Sequence, residues 1–139
     1  MEYKRCFIML CNWLTEQECI DSNLFGDKAK RLDCLDEIKP GDLGFLLNID
    51  RDELIGVFRA RTEAQLHIDP KAWKGKFPAQ VRVEIVGELK RVKDAAYILG
   101  KAGVGLRQLA SGLPGPQEPV QGKEAGEKLL VHFEEPMDS

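Results

Sequence analysis

Two apolar segments joined by a short polar turn constrain the fold of this chain most strongly. Residues 43–49 and 53–61 both have the length and apolar content of strands, and only Asp50, Arg51 and Asp52 lie between them. Parallel neighbours need a crossover of a dozen or more residues, so this connection fits only antiparallel strands. The sequence therefore predicts a β-hairpin in the middle of the chain.

Other strand signals lie on either side of this hairpin. Residues 5–11 form a continuous apolar run, which is typical of a strand buried on both faces. Apolar and charged side chains alternate over residues 81–86, which predicts a strand with one wet face. Residues 63–76 are predicted to be a long loop, and residues 32–38 fit either a short helix or an irregular strand.

Three segments carry helix signals. Thr15 is followed three residues later by Glu18, a pattern that predicts a capping box and a helix of about two turns. Residues 24–27 (Leu-Phe-Gly-Asp) are predicted to break that helix. Residues 95–109 are predicted to form one helix or two short ones, and the apolar spacing within residues 122–134 predicts a C-terminal helix across the sheet.

The size and composition indicate one domain of the α+β class. The chain has 139 residues, 43% of them apolar and 31% charged, and shows no internal repeat or linker, so we expect a single domain over residues 1–139. It contains no apolar run long enough for a membrane span and no signal-peptide pattern at its start. We therefore expect a cytoplasmic protein without membrane contact.

The cysteines and histidines predict neither a metal site nor a cofactor. Four cysteines are present without a Cys-x-x-Cys pair, and the two histidines have no ligand-type neighbours at metal-binding spacing. We expect the cysteines to be buried hydrophobic side chains in a reducing compartment, with a reactive thiol as the alternative. No pair of carboxylates stands out by its spacing, so the sequence does not indicate an enzyme.

The charge is distributed unevenly along the chain. The net charge is −3, yet residues 71–107 carry nine basic and three acidic side chains. Clustered Lys and Arg bind nucleic-acid phosphates, so this segment is a candidate phosphate-binding strip, and a solvated basic face is the alternative. The side chains expected near phosphates are Lys74, Lys76, Arg82 and Arg91.

Three aromatic side chains are placed at element ends or in loops. Trp13 follows the first predicted strand, Phe25 lies at the end of the first helix, and Trp73 lies in a polar, basic loop. Exposed aromatic rings in such places suit stacking against an unpaired base. The alternative is that each ring closes one end of a small barrel.

Several motifs resemble one superfamily over about residues 4–134. The chain is similar to PUA-like domains of the YTH and DCD branch, closest in pattern to DCD and related also to EVE domains. The resemblance lies in the strand that ends in Cys11-Asn12, the Leu-Phe-Gly of residues 24–26, the paired strands of the hairpin, the Phe-Pro-Ala-Gln-Val-Arg-Val of residues 77–83, and the closing residues 124–133.

This resemblance implies a PUA-like fold, a small curved mixed β-sheet or pseudo-barrel with helices packed outside. It also implies a site, because YTH domains flip a methylated base into an aromatic cage. Phe25 and Trp73 match cage positions, and Cys11 and Asn12 match the strand end that reads the base, with Asn48 as a weaker candidate. Phe stands where the YTH cage has Trp, so another modified base is an alternative.

Together the residues and the resemblance predict a noncatalytic nucleic-acid-binding module, with RNA favoured over DNA. One base, modified or not, is expected between Trp73 and Phe25, with Asn12 reading its edge through donor and acceptor together and Trp13 as a further base contact. Two alternatives remain open. One is a protein-interaction module of DCD type anchored by loop aromatics, and the other is a small nucleotide-processing hydrolase.

Overall fold

The computed structural model describes residues 2–134. Within that range the strands are β1 (Arg5–Cys11), β2 (Leu24–Asp27), β3 (Leu43–Asn48), β4 (Glu53–Ala60), β5 (Gln65–Leu66), β6 (Ala79–Lys93), β7 (Leu106–Gln108), β8 (Pro114–Pro116) and β9 (Val120–Gly122). The α-helices are α1 (Glu16–Ser22), α2 (Ala95–Lys101) and α3 (Lys123–Leu130), and short 3₁₀ helices cover Ala29–Leu35, Ala72–Gly75 and Val131–Phe133.

One mixed sheet organises the domain. Its strand order is β2-β6-β4-β3-β1-β9, with β5 also paired to β6, while β7 and β8 form a separate two-stranded ribbon. β1 and β3 are parallel and the other neighbours are antiparallel. The sheet curls into a half-barrel with helices outside it. The predicted α+β class and the PUA-like curved mixed sheet are both confirmed.

Strand β1 is buried on both faces, as its continuous apolar run predicts. Phe7 and Met9 belong to one core cluster, together with side chains from α1, β2 and the first half of β6. Cys6 and Ile8 belong to a second cluster, which packs beneath α2 and α3. Successive side chains of a strand point to opposite faces, so one strand supplies both cores.

The predicted hairpin is also confirmed. β3 and β4 pair antiparallel, and Leu47 lies opposite Leu54 while Asn48 lies opposite Glu53. The polar residues between the strands form the turn. This hairpin holds the end of β3 beside the end of β1, because β1 and β3 run parallel and finish together at Cys11 and Asn48.

Several predicted boundaries are wrong. Residues 24–27 form a strand, β6 continues to Lys93, and the helix that starts at Ala95 ends at Lys101. Gly87, at φ 72°, interrupts the alternation on β6, which hides the second half of the strand from a pattern search. Gly103, at φ 89°, follows α2 in the left-handed conformation that commonly ends a helix.

The capping box is wrong in detail, although helix α1 is present. The Thr15 side chain makes no cap bond to the helix, and its Oγ1 instead accepts a hydrogen bond from the Asn12 amide at 3.0 Å. Glu18 does not bond back to the helix start but accepts a hydrogen bond from the Trp73 amide at 2.7 Å. These contacts connect α1 to the two segments around the candidate site.

Candidate functional site

A cleft of about 450 Å³ lies at the end of β1. Its walls come from the β1 end, helix α1, strand β2, the 3₁₀ helix Ala29–Leu35, the aromatic segment 73–77 and residues 107–110. Ligand sites for small molecules typically enclose about 300–1,000 Å³. The cleft therefore has the volume that a nucleotide-sized ligand requires.

One wall of the cleft is aromatic. Trp73 and Phe77 both line it, and their rings meet edge to face with centroids 5.9 Å apart. Trp73 is only 6% exposed, so the predicted loop aromatic is mostly core and presents a limited surface to the cleft. The ring is thus more buried than its polar loop sequence predicts, and its role in base binding stays a prediction.

The position of the Trp73 ring depends on a glycine and on unusual backbone angles. A Cβ atom on Gly26 would lie 2.5 Å from Cζ3 of Trp73, so only glycine leaves room for the ring. Trp73 (φ 48°) and Lys74 (φ 56°) both adopt the left-handed conformation, which is unfavourable for residues with a Cβ. Glu18 holds this turn by accepting the Trp73 amide hydrogen.

Four basic side chains line the cleft. Lys28, Lys30 and Arg31 come from the start of the first 3₁₀ helix, and Arg107 comes from β7. Asp27 supplies the carboxylate among the lining side chains, and its Oδ2 forms an ion pair with Nε of Arg31 at 2.9 Å. The other three cations have no ion-pair partner within residues 2–134. This part of the surface therefore favours an anionic ligand.

Asn12 lines the cleft, and its side-chain amide carries two hydrogen-bond donors. Its Oδ1 accepts hydrogen bonds from the amides of Leu14 at 2.9 Å and Thr15 at 3.0 Å, which fixes the orientation of the side chain. Its Nδ2 group has no partner in the part of the chain that the structure describes. The expectation of a combined donor and acceptor is corrected, because the acceptor is already used in the turn and only the donors remain.

Two thiols contribute to the apolar floor of the cleft. Cys11 is 4% exposed and Cys19 is 2% exposed, and both line the cleft. Burial is the main reason that the pKa of each thiol is raised, to about 12 for Cys19. Both are therefore protonated at neutral pH and act as apolar surface, since the thiolate is the reactive form.

Phe25 is not part of this site. Its side chain is 0% exposed and packs edge to face against Phe58, with centroids 4.8 Å apart, and against Phe7 at 6.1 Å. It does not line the cleft, although the next residue, Gly26, does. The predicted sandwich of a base between Phe25 and Trp73 is therefore wrong, because β2 places the Phe25 ring in the core.

Asn48 and Arg91 are occupied by structural contacts. Asn48 is 0% exposed, donates to Oε1 of Glu16 at 2.9 Å and accepts the amide hydrogens of Asp50 and Arg51. Arg91 donates two hydrogen bonds of 2.8 Å to the carboxylate oxygens of Glu16. The Arg91 guanidinium is the largest cause of the lowered pKa of Glu16. The predictions that Asn48 reads a base and that Arg91 binds a phosphate are thus corrected. Both side chains instead hold Glu16 and stabilise the fold.

The remaining predicted residues lie outside the cleft lining. Arg82 donates a hydrogen bond from Nη1 to the Ser22 carbonyl at 2.9 Å, so it ties β6 to the end of α1. Lys74 and Lys76 are exposed beside the aromatic wall, and Trp13 is exposed directly after Asn12. Of the predicted base-binding residues, the structure brings Cys11, Asn12 and Trp73 together on one lining.

Sequence reasoning missed the basic side chains that follow β2. Lys28, Lys30 and Arg31 place three cations in four positions, immediately after the Leu-Phe-Gly-Asp of residues 24–27. The first 70 residues are acidic in total, which concealed this local cluster. A search for basic side chains directly after the resemblance motif would have found it.

Comparison with known proteins places the chain in a family. The family model "Development and cell death domain" matches residues 5–98. The B2 protein of Daucus carota is 40% identical over 84 residues, which cover 55% of this chain and 41% of that protein. DCD domain-containing protein NRP-B of Glycine max is 38% identical over 84 residues, which cover 55% of this chain and 26% of that protein. The chain thus matches less than half the length of these curated relatives.

Among solved structures, the chain is similar to YTH domains. The Pho92 YTH domain in complex with m6A superposes with a TM-score of 0.66 at 13% identity, covering 99% of this chain and 88% of that one. The Toxoplasma CPSF4 YTH domain, in complex with an m6A-modified 7-mer RNA, gives a TM-score of 0.62 at 15% identity, covering 99% and 95%. These likenesses establish a shared fold, and the family match establishes that the chain belongs to the Development and cell death (DCD) domain family.

Proposed function

We propose that this domain is a noncatalytic module that binds single-stranded RNA and holds one base in the cleft at the end of β1. The observation that carries the proposal is a cleft of about 450 Å³ whose lining combines apolar and aromatic side chains with basic ones. The YTH domains that share this fold include some whose structures contain m6A or RNA, which supports the same ligand class here.

The two kinds of lining suit the two parts of a nucleotide. A base is flat and mostly apolar at its faces, so the wall formed by Trp73 and Phe77 favours it over water. A phosphate is anionic, so Lys28, Lys30 and Arg107 favour it. A neutral apolar ligand would gain nothing from three cations that have no ion-pair partner within residues 2–134, whereas a nucleotide uses both surfaces.

Asn12 gives the cleft a means of selection. Its two Nδ2 hydrogens can donate to acceptors on a base edge, such as ring nitrogens or carbonyl oxygens. The side chain cannot rotate to offer its oxygen, because Oδ1 holds the turn before α1 through Leu14 and Thr15. Asn12 is therefore proposed to select bases by their acceptors.

The chemistry of the lining also supports binding without catalysis. Cys11 and Cys19 are protonated at neutral pH because burial raises the pKa of both thiols. The Asp27 carboxylate is engaged by Arg31. Neither a thiolate nucleophile nor a free general base is thus offered by these three groups to a bound nucleotide.

The substitution Asn12→Asp tests the proposal. Aspartate keeps the oxygen that accepts the Leu14 and Thr15 amides, so the fold should be retained, but it removes both donors and adds a negative charge. Fluorescence anisotropy with five-nucleotide RNAs carrying A, C, G, U or N6-methyladenine at the centre should show a preferred base for the wild type. We expect Asn12→Asp to weaken binding of that RNA by at least about 10-fold, because up to two neutral hydrogen bonds are lost.

The matched control is Asn23→Asp, which makes the same chemical change at the exposed end of α1. Asn23 does not line the cleft, so this variant should bind as the wild type does. Equal affinities for Asn12→Asp and Asn23→Asp would contradict the proposal. Wild-type protein that binds no RNA, but binds the matching DNA, would transfer the proposal to DNA.

A second comparison separates the cations of the cleft from the basic strip predicted from sequence. In single-stranded nucleic acid, each phosphate contact contributes about 0.7 to the slope of log affinity against log salt. The double variant Lys28→Ala/Lys30→Ala should reduce that slope by about 1.4, whereas Lys74→Ala/Lys76→Ala should leave it unchanged. The opposite result would indicate that the phosphates bind to Lys74 and Lys76 beside the aromatic wall.

A further inference from the structure

An exposed aromatic and aliphatic pair lies next to the cleft without belonging to its lining. Trp13 is 64% exposed and Leu14 is 69% exposed, and they are adjacent in the chain. Trp side chains are highly buried on average, so this degree of exposure is unusual. Contiguous exposed apolar surface on a soluble domain commonly marks a contact site.

The backbone that carries Trp13 is held in place. The Trp13 amide donates to Oδ2 of Asp50 at 2.8 Å, and the Leu14 amide donates to Oδ1 of Asn12 at 2.9 Å. The Ile49 amide donates to the Cys11 carbonyl at 2.9 Å, which joins the ends of β1 and β3 below the turn. Trp13 is therefore exposed on a turn whose backbone is fixed by hydrogen bonds, so a ligand can bind to it without first ordering the backbone.

This turn is continuous with the cleft. Asn12 and Ile49 line the cleft, and they are the immediate neighbours of Trp13 and Asp50 in the chain. Consecutive Cα atoms are about 3.8 Å apart, so Trp13 begins one residue beyond the rim. An RNA chain with one base in the cleft must leave over this rim. The turn that carries Trp13 lies directly beside the rim.

We propose that Trp13 is a second stacking platform, which binds the base adjacent to the one in the cleft, so that the site recognises a dinucleotide unit. This inference rests on the proposed function. The occupant is a base rather than a phosphate, because the Asp50 carboxylate beside Trp13 repels an anion, whereas the cations of the cleft lie at the start of the first 3₁₀ helix and on β7. Stacking on an aromatic ring tolerates every base, so this contact adds affinity and leaves selection to the cleft.

The test compares one and two nucleotides on the same variants. Isothermal titration is carried out with the five nucleoside 5′-monophosphates of A, C, G, U and N6-methyladenine, and then with a 5′-phosphorylated dinucleotide of the tightest-binding base. The wild type should bind the dinucleotide more tightly than the mononucleotide. Trp13→Ala should weaken dinucleotide binding about 5- to 150-fold, the range that base stacking supplies, and leave mononucleotide binding unchanged.

Two further variants distinguish stacking from general apolar contact. Trp13→Phe keeps an aromatic face and should retain part of the dinucleotide affinity, while Leu14→Ala removes the neighbouring apolar side chain and should retain all of it. A wild-type dinucleotide affinity in Trp13→Ala would overturn the second platform while leaving the proposed function intact. Equal losses for both ligands would also overturn it, since Trp13 would then belong to the cleft. Wild-type protein that binds no nucleotide would overturn both proposals.

Discussion

Replacing Gly26 with alanine should displace the aromatic wall of the cleft while keeping the fold. The new Cβ would lie 2.5 Å from Cζ3 and 2.9 Å from Cη2 of Trp73, and 3.0 Å from Cβ of Phe77. Carbon atoms in contact prefer about 3.5–4.0 Å, so the indole must move by about 1 Å or more. Overpacking of this kind costs about 1–3 kcal/mol, which corresponds to a fall in Tm of roughly 3–10 °C in a domain of this size.

The same displacement should weaken ligand binding. Stacking contributes about 1–3 kcal/mol per base, so the loss of about 1 kcal/mol of it predicts an affinity for RNA that is about 5-fold lower. Differential scanning calorimetry and fluorescence anisotropy measure the two effects on one protein. Gly122→Ala is the matched control, because nothing lies within 4 Å of its added Cβ and the residue is outside the cleft lining. A lower Tm with wild-type affinity for Gly26→Ala would refute the role of Trp73 as a ligand-facing wall.

Two further substitutions test the structural contacts of buried residues. Folding lowers the pKa of Glu16, chiefly because Arg91 donates hydrogen bonds to its carboxylate. The ionised carboxylate therefore stabilises the fold at pH values above its unfolded pKa. This stabilisation is lost as the pH falls through the lower folded pKa. Glu16→Gln should therefore be about 1–3 kcal/mol less stable than the wild type in urea at pH 7, with the gap closing below about pH 4, and a gap that is constant with pH would contradict this. Phe25→Leu should cost about 1–2 kcal/mol of stability through lost packing against Phe58 and leave RNA affinity unchanged in anisotropy, whereas a stable variant with lost binding would restore Phe25 to the site.

The elements that could be predicted from the sequence are those that local patterns determine. β1 is a continuous apolar run because both its faces are buried, and the hairpin is marked by a polar turn too short for any other connection. The second half of β6 escaped prediction because Gly87 interrupts its alternation and most of its side chains are at least partly exposed. The local sequence pattern thus identifies strands whose side chains are well buried. It misses strands with exposed side chains that are held in the sheet by hydrogen bonds to neighbouring strands.

The site illustrates a different limit. Trp73 lies in a polar segment, yet it is buried because Gly26, distant in the sequence, leaves a space that its ring fills. The sequence pattern places Phe25 and Trp13 near the ends of elements, but β2 buries Phe25 in the core and the turn after β1 leaves Trp13 exposed to water. Which aromatic ring faces solvent depends on the assembled fold. The sequence therefore indicates these three residues as candidates but does not predict which of them is exposed.

The proposed function requires that a base enters the cleft beside Asn12 and Trp73. Nuclear magnetic resonance titration with the tightest-binding nucleoside monophosphate tests it most directly, with the Asn12 side-chain amide and the Trp73 indole N–H as probes. Binding in the cleft should cause large shifts of both signals, intermolecular nuclear Overhauser effects to the base, and smaller shifts on the exposed face of β6. Saturating ligand that shifts signals along β6 and leaves the Asn12 and Trp73 signals in place would contradict it.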